Sequence, residues 1–289
     1  MHGARGFLSM NVTPATGDAA LTAARSEVKY RLPLASLSRL RAELDARLLS
    51  HHHGASPVAA MMRHYTTTVY FDTADRQLCR AAVAGGEHVK LRAREYYDLL
   101  PLAELATDES ELLRSQPIVW LELKRRAGDH SAKRRVGVPK YRLVQFLQSP
   151  GVDPELRSIQ RRSLGAEGDE VLGEMLEFLG QLSAPVQTSA IVNYARSAWQ
   201  DERGAIRVTV DEELAAFAPY AGMWQRDLPL TRRFLGRPAR AEPLAIIEVK
   251  HLGSSPAWLT EALAGFGAVR SGYSKFQEAS IAIYGPCES

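Results

Sequence analysis

An α+β fold is what this sequence predicts: an antiparallel sheet curled into a tunnel, with helices packed on its outside. Runs of polar and apolar alternation recur along the chain, and in each the charged residues stand two apart, so they project from one face of a strand. Between and after these runs lie segments whose leucines return at helical spacing. A third observation bends the sheet. Across six strands the polar face is almost wholly Arg, Lys and Glu, whereas an ordinary solvent face mixes in Thr, Ser, Gln and Asn.

In chain order, residues 1–24 are rich in Gly, Ala and Thr without periodicity and read as a disordered leader. Residues 25–285 read as one domain. Ser26 to Leu32 is a strand, and Leu34, Leu37, Leu40, Leu44 and Leu48 mark an amphipathic helix that Pro33 can open. His51 to His53 end it as a solvated terminus rather than a metal cluster. Strands follow at Tyr65 to Asp72, His88 to Tyr96, Ile118 to Arg126 and Ala132 to Val138, with a helical or irregular insertion at Leu102 to Leu113. Tyr141 to Gln148 and Asp169 to Leu182 read as helices. Strands return at Thr188 to Gln200, Ala205 to Asp211, Leu214 to Ala218 and Leu244 to Leu252. Met223 to Ala241 is a long loop, and Pro256 to Phe266 and Tyr273 to Ile283 are closing helices.

The composition excludes several classes. With 36 Lys and Arg against 33 Asp and Glu, the net charge of +3 is too mild for a general nucleic-acid binder, and no stacking aromatics punctuate the basic strands. No run approaches the roughly 18 apolar residues of a membrane span. Two distant cysteines, Cys79 and Cys287, support neither a disulfide scaffold nor a zinc site. A cytoplasmic protein is the expectation.

The charged faces carry the chemistry. Glu27, Lys29 and Arg31 share one; so do Lys90, Arg92 and Arg94; Glu122, Lys124 and Arg126; Lys133 and Arg135; Arg207, Thr209 and Asp211; Glu248 and Lys250. On the opposite faces stand Val28, Leu91, Leu121, Leu123, Val208, Val210, Ile247 and Val249, which need a covering layer. Any one charged face could be the wet side of a sheet. If the sheet curls, the charged faces meet inside, and so many cations cannot be desolvated there without a polyanion. A chain of phosphates suits forked guanidiniums and lysine point charges. The glutamates suit a hard divalent metal whose shell the phosphates complete. Metal with Arg and Lys clamps is also the equipment of phosphoryl transfer, and no nucleophilic triad is visible beside it.

Read in order, Glu27-Val28-Lys29-Tyr30, Tyr70-Phe71-Asp72-Thr73, Lys90-Leu91-Arg92-Ala93-Arg94, Leu121-Glu122-Leu123-Lys124, Tyr194-Ala195-Arg196, Arg207-Val208-Thr209-Val210-Asp211, Ile247-Glu248-Val249-Lys250 and Tyr273-Ser274-Lys275-Phe276 resemble the VTC domain. That domain is the catalytic module of vacuolar transporter chaperone polyphosphate polymerases, in the CYTH-like triphosphate tunnel metalloenzyme superfamily. The resemblance spans about Arg25 to Tyr284. It implies an eight-stranded antiparallel barrel with helices outside, binding ATP and polyphosphate or triphosphate with Mn2+ or Mg2+. It also implies a transferase that moves the γ-phosphate of ATP to a growing chain. Lys29, Arg92, Arg94, Lys124, Arg207 and Lys250 then correspond to its catalytic cations. Lys133, Arg135, Arg196, Ser274 and Lys275 correspond to further phosphate contacts, and Glu248, with Glu27 and Glu122 or Asp211, to the metal carboxylates. Two positions depart from the pattern. Arg25 stands where triphosphate hydrolases carry the first glutamate of Glu-x-Glu-x-Lys, and Gly272 stands where a basic residue is common, with Arg270 near enough to substitute. A triphosphatase and a non-catalytic polyphosphate-binding module stay open as alternatives.

Overall fold

A computed structural model describes residues 25–50, 63–99, 113, 115–127 and 130–287; the expected leader, the His51 to His53 helix end and nearly all of the 102–113 insertion lie outside them. Eleven strands form one sheet: β1 (Arg25–Pro33), β2 (Leu49–Ser50), β3 (Arg63–Thr73), β4 (His88–Leu99), β5 (Ile118–Ala127), β6 (His130–Pro139), β7 (Val186–Gln200), β8 (Ile206–Phe217), β9 (Arg240–Ala241), β10 (Leu244–Leu252) and β11 (Val269–Arg270). Their order is β11-β1-β10-β8-β7-β3-β4-β5-β6, with β2 added to β7 and β9 to β8. The helices are α1 (Leu37–Asp45), α2 (Gln77–Ala84), α3 (Lys140–Gln148), α4 (Pro154–Leu164), α5 (Gly168–Gly180), α6 (Ala257–Gly265) and α7 (Lys275–Tyr284).

The α+β class stands, with an antiparallel sheet and helices, but a closed eight-stranded barrel is not what forms. Among the described residues the sheet has eleven strands, and its long end strands β1 and β6 do not pair. Both free edges are occupied by something else. On β1, Tyr30 and Arg31 pair with Arg270 and Val269 of β11, and the Ser271 amide donates to the Lys29 carbonyl at 2.9 Å. On β6, the Gln160 side chain of α4 takes the place of a strand: its Oε1 accepts from the Gly137 amide at 2.9 Å and its Nε2 donates to the Gly137 carbonyl at 2.7 Å. A side chain at residue 137 would collide with Ile159, since a Cβ there would come within 2.9 Å of its Cγ2, so the contact requires glycine.

The sheet curls nevertheless. Glu27 on β1 is in electrostatic contact with Lys124 on β5, and Lys90 on β4 with Lys29 on β1, although these strands lie far apart along the hydrogen-bonded path. Register makes the charged residues one surface, because residues opposite each other on neighbouring strands share a face. Lys29 stands opposite Glu248 and Glu248 opposite Thr209; Glu27 opposite Lys250 and Lys250 opposite Arg207. Across the other half, Arg92, Glu122 and Arg135 line up, as do Lys90, Lys124 and Lys133.

The opposite face builds the core. Leu32, Val208, Val210, Ile247 and Val249 pack with Leu37, Leu40 and Leu44 of α1 and Leu259 and Leu263 of α6. Leu91, Leu121, Leu123 and Val136 pack in a larger cluster with Leu143 and Phe146 of α3 and Leu172 and Met175 of α5. Each such fully buried side chain contributes about 1.5–3 kcal/mol relative to exposure. Helix α7 packs on the charged side of the sheet rather than outside it. Its Phe276 stacks on Tyr70 at 5.0 Å, and Tyr70 stands opposite Arg92, on the charged side. At that end the inner face turns apolar, with Val192, Ala216 and Ile246 in the same cluster as Phe276 and Ala279.

Candidate functional site

One wall of the curled face comes from β1, β10 and β8. Lys250 Nζ lies 3.2 Å from Glu248 Oε1 and 3.6 Å from Glu27 Oε2, and Lys29 Nζ lies 3.2 Å from Glu27 Oε1. Lys29 also donates to the Tyr273 carbonyl at 3.3 Å. Burial and the neighbouring Glu248 charge push the Glu27 carboxyl up, yet Lys124, Lys29 and Lys250 bring it below the usual carboxylate range. Glu248 is deeper; burial opposes its charge, and Lys250, Arg196, Lys29 and Lys275 together hold it well below that range. Both therefore stay ionised at neutral pH, close enough to repel each other.

The facing wall comes from β4, β5 and β6. Arg92 donates to Glu122 Oε1 through Nε at 2.7 Å and through Nη2, and Lys133 lies 3.5 Å from Oε2. Burial raises the Glu122 carboxyl, but Arg92, Arg94 and Lys133 hold it at about 2. Arg135, which shares the Glu122 face and is exposed, lies 5.1 Å over the Trp120 ring. Lys90 and Lys124 make no ion pair among the described residues. Burial first, then Lys29, Lys124 and Arg92, brings the Lys90 ammonium down to about 7. Burial, with Arg92 and Lys250 acting against the opposing pull of Glu27, brings Lys124 down to about 8.

At the inner end the first turn of α7 reaches into the charged surface. The Arg196 guanidinium takes both oxygens of Asp211, at 2.6 and 2.7 Å, and Lys275 Nζ takes Oδ2 at 2.6 Å. Arg196 and Lys275 both lie over the Tyr194 ring, at 5.1 and 4.9 Å. Ser274 caps α7 by accepting from the Gln277 amide at 3.4 Å, and its hydroxyl accepts from Lys90 Nζ at 3.0 Å. Several buried polar atoms along this surface, Arg94 Nε, Thr209 Oγ1 and the Tyr194 hydroxyl oxygen among them, have no hydrogen-bond partner among the described residues.

Every candidate named from the sequence thus lies on this one surface: Lys29, Lys250, Arg207, Glu27 and Glu248 on one wall, Arg92, Arg94, Lys124, Lys133, Arg135 and Glu122 on the other, and Arg196, Ser274 and Lys275 at the inner end. Arg207 and Arg94 make no ion pair among the described residues. The carboxylates divide into two kinds. Glu122 and Asp211 are each gripped by a guanidinium and a lysine, whereas Glu27 and Glu248 are paired with lysines alone. Among the described residues no three His, Cys, Asp or Glu side chains cluster to form a complete metal shell. Two carboxylates held by lysines alone suit a hard divalent cation that draws its other ligands from phosphate and water.

Lys90 and Tyr194 carry more of the site than their sequence context suggests. Lys90 stands two before Arg92 on the same face, a signal present in the alternation; the place of Tyr194 between two cations is set by tertiary packing. Among the described residues no helix is long and apolar enough to cross a membrane.

The sequence matches the family described as the VTC domain over residues 24–284. Among curated proteins none matches it. Solved structures with similar backbones include a candidate adenylate cyclase from Bacillus halodurans, at 15% identity and a TM-score of 0.42, covering 87% of this chain and 94% of that one. The PH1819 protein from Pyrococcus horikoshii OT3 is 13% identical with a TM-score of 0.37, covering 88% of this chain and 97% of that one.

Proposed function

The chain belongs to the VTC-domain family, and from that premise we propose that it extends inorganic polyphosphate by transferring the γ-phosphate of ATP to the end of a chain bound along the charged surface. One observation carries the reading: Lys90, Arg94, Lys124 and Arg207, from three different strands, share one face with no carboxylate in an ion pair with them among the described residues. Such a field of cations fits a linear polyanion, and the bidentate reach of the arginines fits its equatorial oxygens.

In this reading the triphosphate lies between the two walls. Lys29, Lys250 and Arg207 hold it from one side, Arg92, Arg94 and Lys124 from the other, and Lys133 and Arg135 meet the chain where it leaves. Arg196, Lys275 and Ser274 fix the inner end. Glu248 and Glu27 would hold a divalent cation, Mn2+ or Mg2+, which when bound neutralises phosphate oxygens and makes the γ-phosphorus a better electrophile. Glu122 orders Arg92 rather than facing the cation. A terminal oxygen of the bound chain attacks the γ-phosphorus, the bond from that phosphorus to the oxygen shared with ADP breaks, and the cationic walls take up the charge that moves onto ADP. Alignment and charge neutralisation suffice, because the reaction needs no protein nucleophile.

The test is product analysis with γ-labelled ATP and manganese. Label appearing in a ladder of polymer, with ADP released in step, is the expected result. Label released only as orthophosphate would replace the transferase with a triphosphatase. Chain binding without turnover would leave a polyphosphate-binding module.

A further inference from the structure

Arg76, the residue before α2, adopts φ 62, a left-handed conformation uncommon for a residue with a side chain. From there its guanidinium donates to the Gly285 carbonyl at 2.9 Å, the Pro286 carbonyl at 3.4 Å and Cys287 Sγ at 2.6 Å, and it lies 5.6 Å from the Tyr284 ring centroid. The chain that leaves α7 is thereby laid against α2. The outcome is a meeting of the two cysteines: Cys287 Sγ lies 2.8 Å from Cys79 Sγ, across 208 residues of sequence, and both are free thiols. The sulfurs need to close by only about 0.8 Å to reach the length of a disulfide bond.

We propose that Cys79 and Cys287 form a reversible disulfide that clasps the end of α7 to α2. The sulfur that attacks first is Cys287, which is partly exposed and has the Arg76 charge against it. With a small disulfide such as oxidised glutathione as the oxidant, Cys287 attacks one of its sulfurs and expels one glutathione thiolate. Cys79 then attacks the Cys287 sulfur of the mixed disulfide and expels the second. Two protein thiols are oxidised, their two protons pass to the departing thiolates, and the oxidant leaves as two molecules of reduced glutathione. Burial and the neighbouring Cys287 sulfur push the Cys79 thiol up to about 11, as suits a resolving partner that reacts only when a sulfur is delivered to it.

The clasp matters because of what α7 carries. Its first turn presents Ser274 and Lys275 to the charged surface, and its far end is the part the disulfide would fix. Joining residues this far apart also removes a large loop entropy from the unfolded chain.

The full chain is incubated with oxidised glutathione, quenched with an alkylating agent and mapped under non-reducing conditions. The expected result is one cross-linked peptide pair containing Cys79 and Cys287, a mass lower by two hydrogens, and a Tm raised by about 5 °C or more, all reversed by dithiothreitol. Cys79→Ser should stop at a glutathione adduct on Cys287. A stable glutathione adduct on wild-type Cys287, a disulfide between two chains, or two thiols that stay reduced would each overturn the proposal.

Discussion

Arg196 and Asp211 face each other across β7 and β8, and the guanidinium meets both carboxylate oxygens while Lys275 of α7 meets one of them from above. Asp211 is fully buried and is the anion that anchors two cations at the inner end of the site. Asp211→Asn should therefore cost about 3 kcal/mol of stability, because it leaves Arg196 and Lys275 repelling each other without an anion. Tripolyphosphate should restore part of that loss by supplying the missing charge. Thermal melts with and without tripolyphosphate make the check: the variant should gain more than the wild type, and equal gains would remove Arg196 and Lys275 from the phosphate path.

Glu248→Gln separates chemistry from folding. The amide keeps the shape of the side chain and loses the charge that, in the proposed function, holds the divalent cation. Polymer synthesis should fall by about a hundredfold or more, with manganese dependence abolished and the circular dichroism spectrum unchanged. A variant that keeps the wild-type response to manganese would take Glu248 out of the metal site.

Much of this site was legible because strand alternation is a strict rule: once residues 90, 92 and 94 are on a strand, they share a face. What could not be read was anything that depends on edges and side-chain partners. The sheet stays open between β1 and β6, and on the β6 edge the Gln160 amide pairs with the Gly137 backbone; nothing in local sequence announces that. Strand β8 was expected as two pieces, split near Glu212 and Glu213; the chain instead passes through the break as one strand with Glu213 at φ 53. Helix α4 did carry a start signal, Asp153 capping the Leu156 amide at 2.9 Å with Pro154 in the first turn, but its apolar stripe is thin between arginines. Helix α2 follows a left-handed Arg76 that makes no cap bond of its own; its first amides, at Gln77, Leu78 and Cys79, donate instead to the side chains of Thr73 and Asp72 at the end of β3, outside the usual cap position, so its start was not read from the sequence. The insertion of α7 into the charged face is likewise a tertiary fact, since an amphipathic pattern shows that a helix is covered and not by which face of a sheet.

Outside the site, Lys140 and Glu95 form an ion pair at 2.5 Å with both side chains almost wholly buried. Lys140 also donates to the Leu228 carbonyl at 2.8 Å, and Glu95 accepts from the Leu230 amide at 2.7 Å, so the pair ties the long loop before β9 to the back of the sheet. Lys140→Met should destabilise by about 3–5 kcal/mol by stranding a buried carboxylate, whereas Lys140→Met with Glu95→Leu should recover most of the loss. A double-mutant cycle in denaturant measures both; additive losses would show that the two charges do not depend on each other.

The lowered lysines make opposite predictions for the free and the loaded protein. In the folded state Lys90 sits at about 7 and Lys124 at about 8, against an ordinary value of 10.5 that the unfolded chain should restore. Between those values the unfolded chain binds more protons than the folded one, so the stability of the free protein should rise as pH goes from about 7 to 10. A bound triphosphate needs both ammonium groups charged and pulls their protons on, so its affinity should fall over the same range. Binding in buffers of different ionisation enthalpy should also show proton uptake near pH 8. Lys90→Met should weaken both trends together, leaving the share that Lys124 contributes. Melting curves and calorimetric titrations from pH 6.5 to 10 decide the matter, and an affinity for tripolyphosphate that stays level through that window would mean that neither Lys90 nor Lys124 touches the phosphates.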